Sequence, residues 1–427
     1  MLQLKLALGA YMLATALLSG VAGCQHYLGA AHAATYYVAV AGNNSNPGTE
    51  EQPWRSVAYA ASHIFAGDTI YVKNGTYIEE GIWIKRTGTA SSPVKLLAYP
   101  GHSPVISFND SVSLRKNLRL LIQDPTGHKK AMAWITIEGF VLKNGVNGIR
   151  WYNCQSCTVR RNLIQDPYGS GILGTGGIDN VIDRNVVDRA GSPEFGDHGL
   201  YLTGSRYIIT NNLIYGSDKY GIQLKGNADP NDTVNYAGPE FAKSENAIIS
   251  NNVIAYNRLA AGIVLWGTWA NGARIENNIF YQNGQDAGTN NGITWITCCS
   301  TGVLIRNNIS YATDPRPTNF IGTNATEGVH YTQTGNIINT LNPWFTNAPA
   351  TLPALPDFRL NERSPAIDKG LRPEQSQGIP LTTTRIDLNG TPRPQGRAYD
   401  IGAYEYSAGG DSQSPAAPAA LHVLDSQ

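Results

Sequence analysis

Two short stretches of this sequence gather side chains that can move a proton or hold a charged ligand. Asp197-His198-Gly199-Leu200-Tyr201 sets a carboxylate, an imidazole and a phenol side by side, and Gly221-Ile222-Gln223-Leu224-Lys225 adds an amide and an amine. His and Lys serve as general bases when their surroundings bring the pKa toward the working pH, and a Tyr can return the proton to a departing oxygen. Lys225 or His198 is therefore the expected base and Tyr201 the expected acid. A neighbouring Asp197 would raise the pKa of His198. Arg150, Tyr152, Gln223 and Trp266 complete the set as ligand-binding residues. Aromatic rings stack on sugar faces, while guanidinium and amide groups bond to hydroxyls and carboxylates. Asp197, with Asp229 and Asp232 in a later insertion, could offer oxygens to Ca²⁺. Their spacing matches no defined calcium loop, so solubilising turns are the competing reading. A solvated sheet face and a structural His are the competing readings of the other residues.

The elements that carry these residues repeat. From Trp134 to about Thr313 an Asn followed by an aliphatic residue recurs at Asn162, Asn185, Asn212, Asn252, Asn278 and Asn308, with Gly139-Phe140 in the first place. Gly plus an aliphatic residue recurs at Gly148, Gly171, Gly199, Gly221, Gly262 and Gly292. A period near ~22 residues without helical stretches means short strands and turns wound into a solenoid, each coil using its neighbours as core. The expected fold is all-β, a single-stranded right-handed parallel β-helix. The Asn positions should stack as a ladder at a turn. Alternation along each second strand should send the aliphatic residues inward. Arg150 and Tyr152, Tyr201, Gln223 and Lys225, and Trp266 should then form an outward column. Two insertions border it, Arg189 to His198 with Glu194, and Gly226 to Glu245 with Glu240.

Composition agrees. Of 427 residues, 15% are charged and 45 are Gly, with 22 Tyr, which disfavours a helical protein and suits strands and turns. The net charge of +0 gives no global field of the kind that marks a nucleic-acid binder. Open solenoid ends need covering. Residues 36–110 should supply an N-terminal cap, with a short amphipathic helix from Ser56 to Phe65 burying Val57, Ala58, Ala61, Ile64 and Phe65. Coils should fill 111–340, a capping segment 341–406, and a disordered tail 407–427.

The order Gly67-Asp68-Thr69-Ile70-Tyr71-Val72, then Asn74-Gly75-Thr76-Tyr77 and Ser103-Pro104-Val105-Ile106, resembles the N-terminal region of β-helical polysaccharide lyases of the pectate lyase and chondroitinase B-like families. Asn342-Pro343-Trp344-Phe345, Ser364-Pro365-Ala366-Ile367-Asp368 and Asp400-Ile401-Gly402-Ala403-Tyr404 resemble the choice-of-anchor type of terminal segment seen in secreted β-helix proteins. The strand ending in Lys225 is similar to the one that carries the catalytic Lys of family 9 pectate lyases. The acidic calcium pattern of that family is absent one coil earlier, where Asp197-His198-Gly199-Leu200-Tyr201 stands. The resemblance implies β-elimination on a uronic-acid polymer, with Lys225 or His198 as base, Tyr201 as acid and Arg150 as carboxylate clamp. A glycoside hydrolase on the same fold would need two carboxylates about 5–10 Å apart, and a surface glycan-binding or adhesion protein would need only the aromatic column. The expected partner is an acidic polysaccharide, with no nucleic acid, and the protein is expected to be a monomer.

Lys5, the apolar run Leu6 to Leu18 and Val21-Ala22-Gly23-Cys24 read as an export signal over 1–23, with a linker over 24–35. The motif resembles a bacterial lipobox, which implies lipidation of Cys24 and an outer-membrane location, and the lipid would be the one membrane contact. Ordinary cleavage near Ala33 or Ala34 is the alternative, giving a periplasmic or extracellular protein. Cys154 and Cys157, and the adjacent Cys298 and Cys299, read as local disulfides or buried thiols.

Overall fold

The computed structural model describes residues 33–108, 119–192, 197–226, 235–259, 261–267, 270–284, 291–296, 300–313, 320–323, 330–372 and 385–407. The chain lays one strand on each of three parallel sheets per coil, a right-handed parallel β-helix. Among the described residues one sheet, here the open sheet, runs from Thr35–Val38 to Tyr331–Thr334. The flank sheet runs from Thr76–Glu79 to Ile337–Ile338. The groove sheet stacks Ile149–Gln155, Ile172–Ile178, Leu200–Leu202, Ile222–Lys225 and Ala261–Trp266 in order.

Strand alternation sorts the side chains as expected. Ile149, Ile172, Leu200, Ile222 and Ile263 of the groove sheet meet Ile164, Val187, Ile214, Ile254 and Phe280 of the flank sheet inside the coil. Ile182, Ile209, Ile249 and Ile275 of the open sheet close the same core. Trp151 is fully buried because its neighbour on the next coil is Gly174, where an added Cβ would lie 2.5 Å from the indole.

The Asn ladder forms at the expected positions and continues to Asn336. The Oδ1 of Asn252 accepts the backbone N–H and the side-chain amide of Asn212, at 2.9 and 3.0 Å. The amide of Asn252 then donates to the Oδ1 of Asn278 at 2.9 Å and to the Ile209 carbonyl at 2.9 Å. Each rung satisfies buried polar groups of the next, which is what a buried turn demands. The residues just before, Asn211, Asn251, Asn277 and Asn307, take φ between 54° and 57°. Asn tolerates that left-handed turn better than most residues, so each Asn-Asn pair combines a turn former with a ladder rung.

The N-terminal helix spans Val57–His63, shorter than expected, with Ser56 as its cap. The Ser56 hydroxyl accepts the Tyr59 N–H at 3.2 Å, and the Glu79 carboxylate accepts the Val57 N–H at 2.7 Å. Val57, Ala60, Ala61 and Ile64 are buried, whereas Ala58 is half-buried and Phe65 is exposed. The helix ends at His63, so Phe65 leaves the apolar face. The segment expected to close the C-terminal end lies along the side of the stack. Phe345, Phe358, Leu360, Ala366, Leu388, Ile401 and Tyr404 pack on the outward row Leu163, Val186, Leu213, Val253 and Ile279 of the flank sheet. Buried Arg393, paired with Glu405 at 2.7 Å, ties the segment to itself, and the amide of Asn251 donates to the Asp400 carbonyl at 3.1 Å. Cys154 and Cys157 are joined by a disulfide. Cys298 and Cys299, the signal and lipidation motif with Cys24, and all of the tail except Ser407 lie outside the described residues.

Candidate functional site

The groove sheet aligns the expected column in register. Arg150 pairs with Leu173, Leu173 with Tyr201, Tyr201 with Gln223, and Gln223 with Val264. One step along, Tyr152 pairs with Thr175 and Lys225 with Trp266. Adjacent strands lie ~4.8 Å apart, so Tyr201, Lys225 and Trp266 fall on three consecutive coils. Arg150 lies two strands before Tyr201.

Exposure separates this column into parts. Tyr201, Lys225, Arg150 and Tyr152 are half-buried and Trp266 is 37% exposed, all open to a ligand. Gln223 is only 3% exposed and Val264 is fully buried, with Tyr220, Ala261 and Val264 forming a small apolar cluster outside the main core. Gln223 was expected as an open binding residue; burial makes it part of the floor instead.

His198 departs further from expectation. It is 5% exposed, its ring stacks on Tyr220 at 5.1 Å and 3°, and Tyr201 meets it edge-on at 5.1 Å. Burial, followed by the nearby Lys219 charge, lowers its pKa to about 3. The expected rise from Asp197 is absent because the Asp197 carboxylate turns to Ser170, whose hydroxyl donates to it at 3.0 Å. The backbone N–H of Tyr220 donates to His198 Nδ1 at 3.4 Å, so the neutral ring carries its proton on Nε2. Such an imidazole is a donor and a support for Tyr201, and too weak a base at neutral pH.

Asp197 is half-buried, and burial raises its pKa against the opposing influence of Ser170, Lys219 and Arg150. Asp229, Asp232 and Glu194 lie outside the described residues. Among the described residues no three His, Cys, Asp or Glu side chains gather as a metal site. The described residues therefore do not make a calcium site at Asp197.

Charge pairing sets this face apart. On the open sheet Arg160 pairs with Glu138 at 2.8 Å and Arg306 with Glu276 at 2.8 Å. At the turn beside it Arg206 pairs with Asp179 at 2.7 Å. On the groove sheet Arg150 and Lys225 form no ion pair among the described residues. The Arg150 guanidinium instead lies 4.5 Å from the centre of the Tyr152 ring, which His128 backs at 5.3 Å. Arg119, Lys219 and His128 escaped the sequence reading. Arg119 precedes Leu120–Ile122, a strand with no opening Gly, so the repeat pattern does not flag it. The second insertion reaches the groove edge where the Asn153 amide donates to the Asn235 carbonyl and its Oδ1 accepts the Ala237 N–H.

A family model described as the Pel9A-like right-handed β-helix region matches residues 36–293. An uncharacterized Bacillus subtilis protein, YwoF, is 28% identical over 221 residues, 46% of this chain and 46% of its own length. Pectate lyase PEL9 of Emericella nidulans is 41% identical over 75 residues, 17% of this chain and 18% of the enzyme. The chain thus spans less than half the length of these curated relatives. Among solved structures, pectate lyase Pel9A aligns with a TM-score of 0.51 at 16% identity, covering 88% of this chain and 96% of that one. PfbA, a surface adhesin of Streptococcus pneumoniae, aligns at 0.52 and 14% identity, covering 66% and 74%. At such identities the structural likeness is one of fold.

Proposed function

Because the chain belongs to the Pel9A-like family of right-handed β-helices, we propose that it is a polysaccharide lyase that cleaves a uronic-acid polymer by β-elimination. The observation that carries the reading is the outward juxtaposition on consecutive coils of Tyr201, Trp266 and Lys225, which has no ion-pair partner among the described residues. The lyase name of a relative, pectate lyase PEL9, supports it.

In this reading the Lys225 amine takes the proton from C5 of the uronide. The electron pair left on C5 forms the C4–C5 double bond as the C4–O bond breaks, and the Tyr201 phenol protonates the departing oxygen. Neutral His198 holds the Tyr201 ring edge-on, and Trp266 stacks on a sugar beside the reacting one. A positioned base contributes roughly 10²–10⁴ in rate. The substrate is an acidic polysaccharide, whose charge meets the Arg150 guanidinium. Export with lipidation at Cys24 belongs to the same proposal, supported by Val21-Ala22-Gly23 before it. A mature N-terminus at Ala34 or Thr35 would contradict that part.

The test is ultraviolet absorbance of unsaturated uronides after incubation with polygalacturonate, alginate and glycosaminoglycans. A rise on at least one polymer is expected. Binding without any rise would favour an adhesion protein, and new reducing ends without absorbance a hydrolase.

A further inference from the structure

We infer that Arg150 and its surroundings form a distal subsite for an anionic group of the bound polymer, about three coils from Lys225. The inference takes its ligand class from the lyase reading above and adds a second point of charge recognition. Arg150, Leu173, Tyr201 and Gln223 lie in one register row, so Arg150 stands roughly 14 Å from the coil of Lys225 at strand spacing. The Nε of Arg150 is buried and has no hydrogen-bond partner among the described residues. The residue as a whole is half-buried, so its charge is within reach of a carboxylate or sulfate of a ligand.

Three features hold the guanidinium for that purpose. The Tyr152 ring lies 4.5 Å from it, and the His128 ring lies 5.3 Å from Tyr152. The His128 carbonyl accepts from the Asn153 amide, which also donates to Asn235 of the insertion, so the subsite has a wall. Arg119 is a second guanidinium in the same field: burial, then the charge of Arg150, lowers its pKa. Asp197, the acid whose field reaches Arg150, is engaged with Ser170. A substrate reaching from Lys225 to Arg150 spans several sugar units, so binding should strengthen with chain length up to that span.

The experiment is affinity electrophoresis of the full chain through gels containing polygalacturonate, alginate or uncharged galactan. It is run on the unmodified protein and on Lys225→Ala, so that retention is read whether or not the polymer is cleaved. Retention by at least one acidic polymer and not by galactan is expected. Arg150→Gln should weaken it roughly 10- to 100-fold, the loss of a charged hydrogen bond, and Arg150→Lys should restore part. An unchanged melting temperature shows that Arg150→Gln is folded. Equal retention by galactan, no retention by either acidic polymer, or full retention by Arg150→Gln overturns the subsite. Retention without uronide absorbance would instead sink the lyase reading and leave the subsite standing.

Discussion

The flank sheet and the groove sheet come from the same repeat, yet their outward rows carry opposite chemistry. Leu163, Val186, Leu213, Val253 and Ile279 face outward from the flank and are covered by Phe345, Phe358, Leu360 and Tyr404. Arg150, Tyr201, Lys225 and Trp266 face outward from the groove, and neither Arg150 nor Lys225 has a carboxylate partner among the described residues. The covered row stabilises the fold through apolar burial, at about 25 cal/mol per Å². The open row contributes little to stability, since even paired surface charges yield only ~0–1 kcal/mol. On the proposed reading one solenoid uses one face for holding together and another for meeting a ligand, and substitutions on the two should separate cleanly.

The largest effect is expected at Lys225. Lys225→Ala should lower uronide formation by roughly 10²–10⁴ while the melting temperature stays put; equal loss of both would erase the distinction between the faces. Phe358→Ala should do the reverse, costing about 3–5 kcal/mol in denaturant unfolding because it empties the contact between segment and flank. Its surviving folded fraction should keep its turnover. Asn252→Ala removes a ladder rung beneath both faces. Each buried group left without a partner costs about 1–3 kcal/mol, read as a lower unfolding midpoint.

The smallest effect sharpens the flank. Asp188 lines a cavity of about 120 Å³ between the flank sheet and the C-terminal segment, together with Tyr215, Phe358 and Tyr404. Burial raises its pKa to about 6, against an ordinary 3.8 and despite nearby Arg189. The fold favours the protonated form, so this contribution is full below the ordinary pKa and is lost as pH rises through about 6. Asp188→Asn should therefore be more stable than the unmodified chain at about pH 7, by on the order of 1 kcal/mol, with the gap closing toward pH 4. A gap that widens on acidification would show the sign to be wrong.

Much of this architecture was legible in the residue order. The Asn and Gly periods located the strands, and alternation identified Arg150, Tyr201 and Lys225 as outward. The covered flank was legible too, although the period alone does not reveal it. Leu163-Ile164, Val186-Val187 and Leu213-Ile214 are consecutive apolar pairs, and a strand apolar on both faces must be buried on both. The chemistry of His198 was not legible. Its low pKa arises from burial, to which the stacked Tyr220 ring 22 positions away contributes, and then from the charge of Lys219, 21 positions away, while Asp197 turns toward Ser170. Sequence adjacency suggested the wrong partner, because neighbours on a strand end point apart while coil neighbours touch.

The central claim is that the groove face performs elimination through Lys225. The most direct measurement is the mass of the chain ends produced from whichever acidic polymer is cleaved, compared between the unmodified protein and Lys225→Ala. The account predicts unsaturated ends, lighter by one water than hydrolysis products, from the unmodified protein and almost none from the variant. Saturated ends, or unsaturated ends formed equally fast by Lys225→Ala, would contradict it.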